Sequence, residues 1–158
     1  MLIKKWNPYL FWIGITEAIG GLSGWLTRSG NKLFEQTANK PALTPPGIVF
    51  PIVWGILYAL MGFSAARIYL SGASVCRSRG LNLYVTQLVF NFFWSLIFFN
   101  ARVYGFALLW LVLLWLLVLA MILTFHKSDP LAGLLQIPYL LWITFAAYLN
   151  WGVWQLNP

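Results

Sequence analysis

Charge is scarce in this chain. Only 8% of its 158 residues are charged, where a soluble domain carries roughly 25%. Three residues are acidic, one is histidine and one is cysteine. Each scarcity removes a class of function. Cys76 alone forms no internal disulfide and no cysteine metal cluster. His126 has no second ligand candidate near it, so no metal is expected. Three acids and one histidine are too few for most hydrolytic designs. There is no Gly-rich phosphate loop, no zinc spacing, and no Ser-His-Asp or His-Cys set, and no cofactor is expected. The ten bases give a net charge of +7, but they stand singly at helix ends. Snorkelling and membrane topology explain them better than nucleic acid.

What is plentiful is apolar. Hydrophobic residues make up 61% of the chain, including 10 Trp, 7 Tyr and 12 Phe. No water-soluble fold of this length hides that much apolar surface. The expected class is an all-α membrane protein: one domain, 1–158, built as a bundle of five transmembrane helices. The spans fall at about 8–26, 47–70, 81–99, 104–125 and 131–154, with a long polar loop at 27–46. The Lys4-Lys5 start is like that of a signal peptide. Its apolar part is too long and has no clear cleavage site, so it is read as the first span. With the N-terminus inside, Lys4, Lys5, Arg67, Arg77, Arg79 and Lys127 lie on the inner side. Arg28, Lys32, Lys40 and Arg102 lie on the outer, a weak bias.

The organising stretch is 40–70. Lys40-Pro41 and Pro45-Pro46-Gly47 forbid a helix upstream. Pro51 then suits a first helical turn. Trp54 and Tyr58, four apart, share one helix face below the proline-stiffened loop. Long ordered loops are often lids, and a short helix is expected near 31–37; a solvated loop is the rival. In the first span, Gly20 with Gly24 and Gly14 with Ala18 would let a neighbouring backbone approach. Glu17 sits in mid-span: either a proton or cation site or, the favoured reading, a protonated acid hydrogen-bonded inside the bundle. Arg67, in the last turn of the second span, suits the helix dipole. The segment 71–80, with Cys76, Arg77 and Arg79, reads as a linker.

In the third span Gln87, Asn91 and Ser95 make one polar stripe; taken by itself it reads better as interhelical hydrogen bonding, and Trp94 beside it raises the alternative of a ligand-facing row. The fourth span is almost wholly apolar, with Trp110 and Trp115 structural. Its linker to the third is so short that the two must be antiparallel neighbours. Asp129-Pro130 should cap the fifth span, and Pro138 should kink its interior. Tyr139, Trp142, Ala146 and Asn150 then follow on one face. The candidate ligand site is Pro45, Trp54, Tyr58, Gln87, Asn91, Trp94, Trp142 and Ala146. A planar apolar ligand with polar edges suits Trp54 and Trp142 as walls, with Gln87 and Asn91 as donors.

Three segments carry a resemblance: KPALTPPG running into FPIVWGILYALMG, then QLVFNFFWSLIFFNAR, then PLAGLLQIPYLLWITFAAYLNWGVW. In order and spacing the chain is similar to the TspO/MBR family of tryptophan-rich sensory proteins and translocator proteins, also known as peripheral-type benzodiazepine receptors. The resemblance implies a five-helix bundle, usually a homodimer, in the lipid bilayer. It implies a receptor or sensor with a pocket under the loop between spans one and two. Porphyrins and other tetrapyrroles, and benzodiazepine-like compounds, are the implied ligands. Trp54, Asn91, Trp142 and Ala146 are the pocket positions it implies, with Gln87 one turn before Asn91. Light-dependent porphyrin breakdown is an alternative, with Trp54 and Trp142 as the catalytic rings; small-molecule transport is another. The expected location is a bacterial cell membrane. Leu43 stands where the family often has Trp, and Phe34-Glu35 where it often has Trp-Tyr. Trp151 and Gln155 do not form the animal sterol motif, so sterol recognition is not carried over.

Overall fold

The computed structural model describes residues 7–158. Lys4 and Lys5, assigned above to the inner side, lie outside the described residues. Among the described residues all regular structure is helical. The elements are α1 (Pro8–Leu26), α2 (Arg28–Thr37), α3 (Val49–Leu70), α4 (Val75–Ser95), a π-helical turn (Leu96–Ala101), α5 (Tyr104–Ser128), α6 (Pro130–Leu134) and α7 (Ile137–Leu156).

Four spans are long and apolar enough to cross a membrane by length and composition: Val49–Leu70, Val75–Ala101, Tyr104–Ser128 and Pro130–Leu156. The 19-residue α1 packs along α3 and completes the five long rods. It falls outside that set of four, with Glu17 and four glycines interrupting its aliphatic residues. Large aliphatic side chains such as Leu10, Leu22, Ile56, Leu116, Leu123 and Leu141 stay exposed. On a bilayer protein this is the lipid-facing surface.

The helix starts follow local chemistry. Asn7 caps α1 by accepting from the backbone N–H of Tyr9 at 3.0 Å, and Pro8 opens the first turn. Pro51 lies in the first turn of α3, as expected. The third span starts earlier than 81. Ser74 accepts from the Arg77 N–H at 3.1 Å and caps the helix, so Cys76, Arg77 and Arg79 belong to α4 and not to a linker. The polar segment also differs. The ten-residue α2 begins directly after α1, and the irregular stretch is only 38–48.

Pro138 does not kink the interior of one continuous helix. The chain breaks at Leu135–Gln136, and α7 restarts with Pro138 in its first turn. Proline has no N–H to donate and its ring crowds the carbonyl four residues back, so restarting the helix relieves both. The break lets Gln136 turn fully inward. Its Nε2 donates to Ser64 Oγ at 2.8 Å and to the Leu60 carbonyl at 3.1 Å.

The core runs along α5. Leu111, Leu114, Val118, Met121 and Phe125 are buried at three- and four-residue steps. Trp110 and Trp115 tie α5 to its neighbours. Trp110 donates to the Phe90 carbonyl at 2.8 Å, and Trp115 donates to Thr144 Oγ1 at 2.8 Å. Only Arg102 and Val103 separate the π-helical turn from α5, and α4 and α5 pack as antiparallel neighbours. The close backbone approach in the bundle is not at the glycine pairs of α1. Gly14 and Gly24 have open space where a Cβ would stand. Gly62 of α3 instead lies against the Ile13 backbone.

At one end of the bundle Arg67 Nε meets Asp129 Oδ2 at 2.7 Å, while Asp129 Oδ1 caps α6 through the Leu131 N–H at 3.0 Å. Arg67 is thus an ion-pair partner as well as a last-turn cation. Partial burial pushes the Asp129 carboxyl up, but the Arg67 hydrogen bond and the backbone N–H groups outweigh this and hold it below its ordinary value. The stabilisation is therefore present above the unfolded carboxyl value, about 3.9, and is lost as pH falls through the folded one. Asp129→Ala is expected to lower stability by about 1 kcal/mol through the cap alone. Thermal unfolding in detergent at pH 7 checks this. A melt that matches the unmodified protein at both pH 7 and pH 3 would contradict the assigned role.

Candidate ligand cavity

The opposite end is closed by a cap. Thr27 Oγ1 donates to the Ser23 carbonyl at 2.8 Å and joins α1 to α2. Gly30 of α2 sits against the backbone of Phe99, where a Cβ would come within 2.6 Å of the Phe99 carbonyl oxygen. Phe34 inserts among Phe98, Phe99 and Tyr104, with ring centroids at 5.2, 5.5 and 6.4 Å. Further along, the Asn39 N–H donates to Asn157 Oδ1 at 3.0 Å, and Asn157 Nδ2 donates to the Asn39 carbonyl at 2.8 Å. Pro41 rests on Gly152. The segment 27–46 is thus fastened to the π-helical turn and to the end of α7.

Beneath this cap lies a cavity of about 670 Å³, walled by α1, α2, α3, α7 and the end of α4 with its π-helical turn. That is within the roughly 300–1,000 Å³ of small-molecule sites. Trp54 and Tyr58 stack with ring centroids 5.4 Å apart and planes at 27°. Across the cavity Trp142 meets Phe50 edge-on at 5.9 Å. Trp94 stacks on Phe98 at 5.1 Å, and its Nε1 donates to Asn150 Oδ1 at 3.2 Å. The π-helical turn supplies Phe98 and Phe99 to the wall. Its extra residue per turn rotates these rings relative to a regular helix.

Of the expected site residues, Trp54, Tyr58, Trp94, Trp142 and Ala146 line this cavity. Gln87, Asn91 and Pro45 are not in its wall. Gln87 and Asn91 lie one layer behind, fully or almost fully buried. Tyr58 Oη donates to Asn91 Oδ1 at 3.0 Å, Asn91 Nδ2 donates to Tyr139 Oη at 2.7 Å, and Tyr139 Oη donates to Gln87 Oε1 at 2.7 Å. Asn91 holds Tyr58 in place, and Tyr139 ties Asn91 to Gln87 within one buried polar chain. Pro45 stiffens the cap, while its neighbours Thr44 and Gly47 reach the wall.

Residue patterns alone pass over Phe34, Glu35 and Ser23 as wall residues, and Asn150, on the same face as Trp142 and Ala146, joins the wall as well. Glu17 is also in the wall, half-buried. It forms no hydrogen bond or ion pair among the described residues, contrary to the favoured expectation of an acid hydrogen-bonded inside the bundle. A signal for this exists in the sequence. Glu17, Gly20, Gly21 and Gly24 fall on one helical face, which small residues leave open around the carboxylate.

Residues 12–155 match the family model described as the TspO/MBR family. The chain belongs to this family. It is 38% identical over 142 residues to the Protein CrtK of Rhodobacter capsulatus, covering 89% of this chain and 88% of that one. It is 39% identical over 120 residues to the tryptophan-rich sensory protein of Cereibacter sphaeroides, covering 75% and 73%. It is 34% identical over 158 residues to the translocator protein of Bos taurus, covering 99% and 94%. With its membrane-length helices, this TspO/MBR member is a multi-pass membrane protein.

Proposed function

We propose that this protein is a membrane receptor that binds a planar aromatic ligand, of the porphyrin or benzodiazepine-like class, in the cavity under the 27–46 cap. The observation that carries this reading is the wall itself. Indole and phenyl rings at Trp54, Phe50, Trp94 and Trp142 face one cavity whose lining is mainly apolar. Flat ligands gain dispersion and quadrupole contacts from such rings. The sensory and translocator names of the relatives favour ligand reception over a structural role.

The test is titration of protoporphyrin into the purified protein in neutral detergent, followed by the porphyrin's own absorbance. Combining Trp54→Phe with Trp142→Phe is expected to weaken binding about tenfold, as two aromatic contacts of about 0.5–1.5 kcal/mol are degraded. Wild-type affinity in the double variant would refute the assignment of the cavity.

A further inference from the structure

The charge of the cavity is opposite to that of the chain. With ten Lys and Arg against three acids the protein carries +7, yet among the described residues the cavity wall contains Glu17 and Glu35 and no lysine, arginine or histidine. Two of the three acids have cationic partners. Asp129 pairs with Arg67 at 2.7 Å, and Glu35 pairs with Lys40 at 3.0 Å. Glu17 has none among the described residues. It stands in mid-helix, where an uncompensated carboxylate costs several kcal/mol, a cost that protonation or a bound cation relieves.

The surroundings fit one kind of partner. One turn from Glu17, Gly20 lies directly under the Tyr58 ring, and Tyr58 stacks with Trp54. A carboxylate beside an aromatic stack is a setting for an organic cation, which the ring faces attract as well. A second polar group lies further toward the cap. Ser23 is buried in the wall, and its Oγ has no hydrogen-bond partner among the described residues. It is six residues from Glu17, about 9 Å along the helix axis.

Resting on the reading of this cavity as the ligand site, we infer that among planar aromatic ligands it prefers those that carry a cationic nitrogen. The nitrogen is held by the Glu17 carboxylate, its aromatic body lies against Trp54 and Tyr58, and a polar group reaches Ser23. The same field repels carboxylates.

The experiment compares two probes that differ in charge and little in shape: 1-naphthylmethylammonium and the neutral 1-naphthylmethanol. Each is titrated calorimetrically into the protein in neutral maltoside detergent at pH 7, with a detergent-only titration subtracted. The ammonium is expected to bind about tenfold more tightly. Glu17→Gln is expected to bring the ratio of the two affinities to about one, and Glu17→Asp, which keeps the charge, to preserve a preference. Equal affinities in the unmodified protein overturn the inference, as does a ratio that survives Glu17→Gln. The first of these comparisons needs no variant, so it stands even where a substitution prevents folding. If protoporphyrin binding still depends on Trp54 and Trp142 while the ammonium shows no preference, the charge inference falls and the cavity reading stands. If porphyrin binding ignores both tryptophans, the cavity reading falls, and the inference with it.

Discussion

Gly62→Ala is expected to destabilise the protein by about 1–3 kcal/mol, although alanine is the better helix former by about 1 kcal/mol. The reason lies across the α1–α3 contact. A Cβ at position 62 would stand 2.5 Å from Ile13 Cα, 2.7 Å from Ile13 N and 2.7 Å from the Trp12 carbonyl oxygen. These are backbone atoms, so no rotamer change relieves the clash and α1 must move off α3. Gly14 is the internal control, because nothing lies within 4 Å of its virtual Cβ. Gly14→Ala is therefore expected to be neutral or stabilising. The two variants should move the thermal midpoint in detergent in opposite directions. Melts shifted alike would show that the helices are not pressed together at Gly62. Since α1 also carries the Glu17 and Gly20 side of the cavity, Gly62→Ala should weaken ligand binding as well.

The second large effect is expected at Tyr139. Tyr139→Phe keeps the ring and removes one buried oxygen that serves two partners. Its loss leaves the Asn91 amide and the Gln87 carbonyl oxygen facing each other without the hydroxyl between them. Each orphaned buried group costs about 1–3 kcal/mol, so a loss on the order of 2–4 kcal/mol is expected. Asn91 also accepts from Tyr58, so the disturbance reaches the cavity wall through a residue outside that wall. The measurement is a double-mutant cycle between Tyr139→Phe and Asn91→Ala. A coupling close to zero would mean that the buried polar chain is not a unit.

Part of this architecture is written in residue order. Pro8, Pro51 and Pro130 mark three helix starts, and Asp129 is readable as a cap, because capping is decided within four residues. Pairing of α4 with α5 follows from a connection too short for any other arrangement. The start of α4 is masked in the sequence, because Ser74 competes with a run of arginines that resembles a linker. The effect of Pro138 is masked too, because periodicity does not distinguish a kink from a break. That choice rests on whether Gln136 finds partners, and Ser64 and the Leu60 carbonyl lie 72 and 76 residues away in sequence.

At the site, helical spacing alone pairs Trp54 with Tyr58 on α3 and Trp142 with Ala146 on α7, while the meeting of the two faces is implied by the family resemblance. Whether a polar residue meets a ligand or a neighbour depends on helix rotation, which is set by packing. For that reason Gln87 and Asn91 sit behind the wall, and Glu17 stands in it unpartnered among the described residues.

By itself the sequence determined an all-helical membrane chain, the approximate length of its spans and the aromatic character of two helix faces. These depend on hydropathy and on neighbours within about two turns. The tertiary structure alone decided which polar groups satisfy one another, which glycine admits a backbone, and that one cavity in a basic protein gathers two carboxylates and no base. Those outcomes depend on contacts between residues far apart in the chain, and no local pattern encodes them.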